Sequence, residues 1–261
     1  MIPHHTTWFA YIRVGAVFLV TVLFCAMFVL LKYIYPPAIT FFIRPLNKIV
    51  LRLLNVKLSI SGVVTTGASP ILFVSNHASY LDICALFIAL PAYFVSKADV
   101  RQWPLFGWLT ETFKTIYIKR TKGSTAKGAA TMEERFNQGD NLILFPEGTS
   151  TDGNQVLPFN SSYFAPVFSE AIVRKPVVVQ PVTIAYHQVN ARPSTHSLRA
   201  HVTWWGDKEL VSHMLEIASL HSMGIHVHIH PPLENIDLHD RKTLSQEAHG
   251  IVAAGLQSLI A

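Results

Sequence analysis

An uncharged apolar run near the N-terminus constrains the fold of this chain more than any other feature. Val14 to Leu31 is an eighteen-residue run without a charge, bracketed by Arg13 and Lys32. Such a run is at the short end of what crosses a bilayer as a helix. No short A-x-A-like cleavage site precedes a secreted-looking domain, so we interpret the run as a membrane helix and not as a cleaved signal peptide. We therefore expect a membrane-anchored protein.

The segment after Pro36-Pro37 predicts a second helix of different character. Within Ile39 to Leu54 a cation recurs every fourth residue, at Arg44, Lys48 and Arg52. This pattern is typical of a helix that lies in the lipid interface with its cations toward anionic headgroups. An ordinary amphipathic helix packed on the body is the alternative. Pro45 predicts that the first helical turn begins near Arg44.

The charge of the chain is distributed unevenly. Residues 1–60 hold six basic residues and no Asp or Glu, whereas the whole chain has a net charge of +5. A basic, apolar N-terminal segment before a nearly neutral body indicates a membrane surface as partner. Nucleic acid is not expected, because the sequence has no basic face with interleaved aromatic residues. The cations follow the apolar run, which predicts that a spanning helix leaves the body in the cytoplasm.

From about Ser59 the chain alternates strand-like and helix-like segments, which predicts an α/β domain. The predicted strands are Ile71–Ser75, Ala92–Ser96, Thr115–Lys119, Asn141–Phe145, Val177–Val179, His201–Trp205 and Ile225–His230. The predicted helices are Ser79–Leu90, Ala126–Asn137, Phe164–Arg174 and Thr243–Ile260. We expect a membrane-anchoring helical segment over residues 1–58 and one α/β domain over residues 59–261.

A histidine and an aspartate five residues apart occupy the junction between a predicted strand and the following helix, in Val74-Ser75-Asn76-His77-Ala78-Ser79-Tyr80-Leu81-Asp82. If Ser79 caps the helix, Asp82 completes a capping box and has a structural role only. If the strand end delivers His77 to a pocket, Asp82 can fold back onto the imidazole, select its tautomer and stabilise the imidazolium. The two interpretations are compatible, and the other motifs must decide between them.

Two further predicted strands end in polar residues that suit the same pocket. Asn141–Phe145 is followed by Pro146-Glu147-Gly148-Thr149, which predicts either a tight turn with an exposed glutamate or a site for a polyol or phosphate. Thr115–Lys119 leads into three cations, Lys119, Arg120 and Lys122. Clustered cations beside a pocket suit a phosphate or another anionic headgroup, and solvated surface charge is the alternative.

These segments, in this order, resemble the four sequence blocks of the glycerolipid acyltransferase family. The blocks correspond to Asn76-His77 through Asp82, Ile116 through Arg120, Phe145–Thr149, and a proline-bearing strand, Val178–Val182. The stretch Lys97-Ala98-Asp99 also looks like the family, with Asp99 where many members have glutamate. The resemblance covers roughly Ser59 to Trp205. It implies an α/β fold with a mixed central sheet flanked by helices.

The resemblance implies an enzyme that transfers a fatty acyl group from an acyl-CoA or acyl-carrier-protein thioester to a lipid hydroxyl. His77 would be the general base that deprotonates the acceptor hydroxyl, and Asp82 would orient and stabilise it. Arg120 would contact the phosphate of the acceptor. The glycerol portion would be contacted by Glu147, Gly148 and Thr149, and the expected substrate-binding set also includes Asn76, Lys97, Lys119 and Pro181. The implied chemistry requires no cofactor, metal or covalent acyl-enzyme.

The leading expectation is acylation of lysophosphatidic acid to phosphatidic acid, in a bacterial inner membrane with the catalytic domain cytoplasmic. Two departures from the family pattern leave the acceptor open. Ser150 follows Thr149 where many members have Arg, and Phe159-Asn160-Ser161-Ser162 stands where members often carry Phe-Lys-x-Gly. Another lyso-lipid, such as lyso-ornithine lipid or a lysophospholipid, is therefore the alternative acceptor. A lipid hydrolase is disfavoured because no G-x-S-x-G elbow is found, and a non-catalytic membrane scaffold because the polar motif residues are intact.

Two other features suggest chemistry but are better explained without it. His226, His228 and His230 alternate along a predicted strand and so share one face. Zinc is disfavoured there because no cysteine is near and the family chemistry uses no metal. Cys84 lies in an apolar helix without a basic neighbour, which predicts a buried, inert thiol.

Overall fold

One mixed sheet organises the part of the chain that the computed structural model describes, which is residues 7–34, 38–97, 110, 113–118, 124–172, 175–234 and 240–261. The strands are β1 Val56–Gly62, β2 Ile71–Ser75, β3 Tyr93–Lys97, β4 Ile116–Ile118, β5 Leu142–Leu144, β6 Val178–Val189, β7 Arg192–Pro193 and β8 Met223–Ile229. The helices are α1 Thr7–Ile34, α2 Ala38–Leu53, α3 Leu81–Ala89, α4 Ser124–Asn137, α5 His196–Val202, α6 Leu210–Ser219 and α7 Arg241–Ile260. A 3-10 helix covers Ser161–Phe168.

The strands lie in the order β1-β8-β6-β2-β5-β3-β4, with β7 paired to β6. β6 and β8 are antiparallel, and β1 runs parallel to β8. The pairs from β6 through β2, β5 and β3 to β4 are all parallel. Consequently β2, β5, β3 and β4 have their carboxyl ends at one edge of the sheet, where α/β proteins usually place their sites.

Alternate residues of the central strands pack into two separate hydrophobic cores. On β2, Ile71 and Phe73 belong to the first core, while Leu72 and Val74 belong to the second. Side chains of a strand point alternately to opposite faces of the sheet, so a strand covered on both faces has no polar side. The continuous apolar run of β2, in which every residue is buried, follows from this position.

The first core is covered by the N-terminal helices, and α1 packs on α2 and α6. The stretch Trp8–Leu31 of α1 is long and apolar enough to cross a membrane, and it is a candidate membrane anchor. Arg13 lies within this stretch, and its guanidinium donates to the carbonyl oxygens of Ala218 and Leu220, each at 2.8 Å. The cation thus satisfies carbonyls at the C-terminal end of α6, where the helix dipole favours positive charge. Phe28, fully buried, belongs to the contact of α1 with the body.

Helix α2 buries one face and exposes the predicted basic stripe. Ile43, Leu46 and Leu51 are buried, whereas the cations Arg44, Lys48 and Arg52 are exposed. The prediction that this helix begins near Arg44 was wrong, because α2 begins at Ala38 and Pro45 lies inside it. Proline deprives the carbonyl four residues earlier of a partner. Pro45 is exposed, so water can hydrogen-bond to that carbonyl. The opposite, apolar face of the helix packs on the body.

Three other predicted boundaries differ from the structure. The predicted strand His201–Trp205 overlaps the end of α5, whose N-cap Thr195 accepts a hydrogen bond from the backbone of Leu198. The predicted helix Phe164–Arg174 is replaced by the 3-10 helix, which ends at Phe168, and residues 173–174 lie outside the described residues. The predicted boundary between residues 58 and 59 falls inside β1, since that strand begins at Val56. The division into an anchor and a catalytic domain stays a prediction.

Candidate active site

The site begins where β2 ends, and Asn76 determines how the chain leaves the sheet. Its side-chain amide donates to the carbonyl of Ile184 at 2.9 Å and accepts from the N–H of the same residue at 2.8 Å. The amide thus substitutes for backbone and continues the pairing of β2 with β6. We predicted that Asn76 binds substrate, but its side chain is fully buried and both polar atoms are used in this pairing. Asn76 therefore positions the following residue, His77.

His77 and Asp82 face each other directly after this turn. Nδ1 of His77 lies 2.8 Å from Oδ2 of Asp82, with the histidine side chain 19% exposed and the aspartate fully buried. Because Nδ1–H donates to the carboxylate, Nε2 is the nitrogen that can accept a proton from a bound group. The imidazole stacks on Phe145 at a ring distance of 4.1 Å and an angle of 12°. The two side chains therefore have the geometry of a histidine base oriented by a carboxylate.

Asp82 has a structural role in addition to its contact with His77. Its Oδ2 also accepts the backbone N–H groups of Ala78 and Ser79, at 2.7 and 2.9 Å. Ser79 Oγ in turn accepts a long hydrogen bond, 3.4 Å, from the N–H of Leu81 at the start of α3. This reciprocal arrangement is close to a capping box. The capping and histidine-orienting interpretations of the motif thus describe the same carboxylate.

A buried tyrosine completes the environment of Asp82. The hydroxyl of Tyr186, on β6, donates to Oδ1 of Asp82 at 2.6 Å, and the whole side chain is buried. Sequence analysis did not identify this residue. The available signal was a tyrosine in a mostly apolar strand five residues after Pro181, since a buried tyrosine hydroxyl usually requires a polar partner.

Glu147 joins the loop of His77 to the segment that follows β5. Its Oε1 accepts the backbone N–H of His77, and its Oε2 accepts that of Leu157, both at 2.7 Å. Burial raises the pKa of Glu147 to about 8, although these two N–H groups lower it. We predicted that Glu147 contacts the glycerol of the acceptor. Its hydrogen bonds instead hold the backbone at His77 in place, and a contact of Glu147 with substrate stays a prediction.

The other predicted binding residues that the structure describes differ in accessibility. Gly148 has a positive φ of 73°, and its N–H donates to the carbonyl of Phe145, which forms the tight turn after β5. Thr149 is exposed beside it. Pro181 is buried within β6, opposite Val74 of β2. A contact of Pro181 with substrate is disfavoured by this position between two strands.

The predicted cations cannot all be placed. Lys97 is the last residue of β3 and pairs with Ile118 of β4, at the same sheet edge as the end of β2. Its side chain lies outside the described part of the chain, and so do Lys119 and Arg120. Their roles in binding an anionic headgroup stay predictions.

The histidines of β8, and His230 directly after the strand, lie within hydrogen-bonding distance of neighbouring hydroxyl groups. Ser61 Oγ lies 2.7 Å from both His226 Nε2 and His228 Nδ1, and His230 Nε2 lies 2.8 Å from Thr183 Oγ1. Among the described residues, no group of three or more His, Cys, Asp or Glu side chains is arranged to hold a metal ion. These contacts form a polar network on this face of the sheet.

Cys84 lies two residues after Asp82 on α3. Burial and the charge of Asp82 raise the pKa of Cys84 to about 12. A thiol with such a pKa is almost entirely protonated near neutral pH, so it is not a nucleophile there.

Comparison with known proteins agrees with this architecture. Residues 55–185 match the family model described as Acyltransferase. The chain is 35% identical over 218 residues to the lyso-ornithine lipid O-acyltransferase of Brucella abortus, with 82% of this chain and 81% of that protein covered. It is 36% identical over 184 residues to the lyso-ornithine lipid O-acyltransferase of Rhodobacter capsulatus, covering 70% of this chain and 64%, less than two thirds, of that protein.

A solved structure shows the same fold. The 1-acyl-sn-glycerophosphate acyltransferase PlsC of Thermotoga maritima aligns with a TM-score of 0.64 and 16% identity, covering 92% of this chain and 97% of that one. The mixed sheet and flanking helices thus define the acyltransferase fold, which confirms the predicted fold class. With the family model and the relatives, this shows that the chain belongs to the glycerolipid acyltransferase family of lyso-lipid acyltransferases.

Proposed function

We propose that this protein is a membrane-bound O-acyltransferase that transfers a fatty acyl group from an acyl-CoA or acyl-carrier-protein thioester to the hydroxyl of lyso-ornithine lipid. The observation that carries the catalytic part is the hydrogen bond between His77 and Asp82 at the carboxyl end of β2. The acceptor is inferred from the two relatives, which are lyso-ornithine lipid O-acyltransferases. The serine at position 150, where many family members have a cation, also suits an acceptor without a phosphate.

In the proposed reaction His77 acts as general base. Its Nε2 takes the proton of the acceptor hydroxyl while that oxygen attacks the thioester carbonyl carbon. Asp82 stabilises the imidazolium that forms. Collapse of the tetrahedral intermediate breaks the carbon–sulfur bond, and the departing thiolate takes the proton from His77. The ester and the free thiol are the products, and the histidine returns to its neutral state.

The proposed location is a bacterial inner membrane, with residues 1–58 as the anchor and residues 59–261 as a catalytic domain in the cytoplasm. Its support is the apolar surface of α1 together with the exposed cations of α2. Both substrate and product are lipids, so an enzyme held at the bilayer surface meets its acceptor there.

Lysophosphatidic acid is the second candidate acceptor. The observation in its favour is the pair of cations Lys119-Arg120 in the family's second block, because cations of this kind suit a phosphate. In that case the product would be phosphatidic acid.

The experiment that tests both candidates is a paired assay of the detergent-solubilised full chain with one acyl thioester donor. Lyso-ornithine lipid and lysophosphatidic acid are the two acceptors, and His77→Ala is compared with the exposed-residue control His196→Ala. Loss of the general base should lower the rate by about 10²–10⁴-fold, whereas the control should keep it. Acylation of lysophosphatidic acid alone would favour the second candidate. An unchanged rate in His77→Ala would refute the mechanism.

A further inference from the structure

The hydrogen bond from Tyr186 to Asp82 points to a further residue of the site. We propose that Tyr186 is a positioning residue for acyl transfer, which holds the Asp82 carboxylate in place and keeps His77 neutral enough to act as a base. This inference rests on the proposed function. Burial and the charge of Asp82 raise the pKa of Tyr186, so its hydroxyl is protonated near neutral pH and can donate.

The distribution of donors around Asp82 shows what Tyr186 contributes. Oδ2 accepts three N–H groups, from the His77 ring and from two backbone amides. The hydroxyl of Tyr186, at 2.6 Å, is bonded to the other oxygen, Oδ1. These three N–H groups all lie on one oxygen and leave Oδ1 without any of them. A donor on Oδ1 provides the second fixed point.

The pairing of the strand that carries Tyr186 changes directly after this residue. β6 is a central strand between β2 and β8, and its register against β8 is regular from Val182 to Tyr186. The register then shifts between Tyr186 and Gln188. Such bulges often occur next to active sites, where they change the direction of a side chain. Tyr186 therefore lies in a central strand at the position where the pairing changes.

The hydroxyl also limits the effect of the buried negative charge on the imidazole. A buried carboxylate favours the protonated form of a neighbouring histidine, and a protonated histidine cannot accept the acceptor's proton. Each hydrogen bond donated to the carboxylate neutralises part of that charge. Removal of the Tyr186 hydroxyl should therefore favour protonated His77, so that the rate falls at a higher pH on the acidic side of the profile.

Other titratable groups lie in the same part of the molecule as this carboxylate. Tyr80 and Cys84 belong to the turn and helix of Asp82, and burial raises the pKa of both, so they are neutral near pH 7. Glu147, after β5, also senses Asp82 and has a pKa of about 8. Glu147 therefore changes charge near pH 8, on the basic side of the profile. A shift confined to the acidic side of the profile is the signature of His77.

The test compares Tyr186→Phe with Tyr163→Phe, whose tyrosine lies in the 3-10 helix away from Asp82. Rates of acyl transfer to lyso-ornithine lipid are measured between about pH 5 and pH 9. Loss of one hydrogen bond to a charged group should lower kcat about tenfold with KM unchanged. The acidic limb should also move to higher pH, and Tyr163→Phe should change neither. An unmoved acidic limb in Tyr186→Phe would overturn the proposal, whatever happens to the rate.

Two further measurements keep the inference separable from the proposed function and from misfolding. In an Asp82→Asn background, Tyr186→Phe should cause no further loss of kcat, because its effect passes through Asp82. An additive loss would show a merely structural role. The His77 ring is also titrated by NMR, assigned with His77→Ala, and its midpoint should be higher in Tyr186→Phe. If the wild type acylates neither acceptor, the proposed function fails, while an equal midpoint in both proteins refutes the Tyr186 inference alone.

Discussion

Replacement of Asp82 by asparagine should remove most of the activity while the fold survives. The carboxylate accepts four hydrogen bonds in a fully buried position. An asparagine that places its oxygen at the Oδ2 position keeps the three N–H donors. Its NH₂ group can then donate to the oxygen of Tyr186, because a hydroxyl both donates and accepts. All four bonds thus have a neutral replacement, and the free energy of unfolding should fall by only about 1–2 kcal/mol.

Replacement of the same residue by alanine should have a much larger effect on stability. It leaves the N–H groups of Ala78 and Ser79 and the hydroxyl of Tyr186 without their partner at a buried site. Each unsatisfied group costs about 1–3 kcal/mol, so the sum is comparable to the whole stability of a typical domain. The pair of variants therefore separates the capping role of Asp82 from its charge.

The assay combines urea unfolding in detergent, followed by circular dichroism, with acyl transfer. Asp82→Asn should keep a cooperative transition and lose about 10²–10⁴-fold in kcat, since the imidazolium is no longer stabilised by a charge. A fully active Asp82→Asn would show that the carboxylate only caps α3. An Asp82→Asn protein as unstable as Asp82→Ala would refute the hydrogen-bond argument itself.

Three other perturbations follow from the structure. Glu147→Gln turns an NH₂ group toward one of the two backbone N–H donors, and it should lower the free energy of unfolding by about 1–3 kcal/mol. Urea titration measures this value, and an unchanged free energy would mean that the two hydrogen bonds contribute nothing to stability. Gly255→Ala would bring a Cβ within 2.5 Å of the Thr183 side chain on β6 and should lower Tm. Gly250→Ala, on the same helix, places a Cβ with nothing within 4 Å and should raise Tm. Equal shifts of Tm in the two variants would contradict this packing. Burial lowers the pKa of His213 and His230 from 6.5 to about 4, so their contribution to stability is present above pH 6.5 and is lost as pH falls toward 4. The urea midpoint should therefore fall between about pH 7 and pH 5, and less so in His230→Gln; a midpoint independent of pH would exclude this linkage.

Local sequence was sufficient to predict the elements that are buried on one face or on both faces. The apolar run of β2 predicted a buried strand, and the five-residue spacing of His77 and Asp82 predicted that the two side chains meet after it. The hydrogen bond of 2.8 Å between them spans five residues, so the turn and the start of α3 determine it. The order of the motifs then indicated the fold family, which the comparisons confirm.

Contacts between distant segments could not be predicted in the same way. Tyr186 is 104 residues from Asp82, and Leu157 reaches Glu147 across a loop. Neither pair produces a local periodicity. The predicted strand His201–Trp205 was wrong, because its first two residues end helix α5, whose capping residue Thr195 lies upstream of that segment. Short segments of this kind are decided by packing and caps more than by pattern.

The pairing of β1 with β8 has a consequence for the order of events during synthesis. Ser59 of β1 and His226 of β8 are joined across 167 residues, and β1 is the edge strand whose one neighbour in the described sheet is β8. Contacts so distant along the chain form late, because a long loop must close first. The apolar helix α1 precedes β1, so it leaves the ribosome and can meet the bilayer while β1 is still unpaired. If α1 is the membrane anchor that we propose, its insertion would precede completion of the sheet, and the nascent chain would complete its fold at the lipid surface.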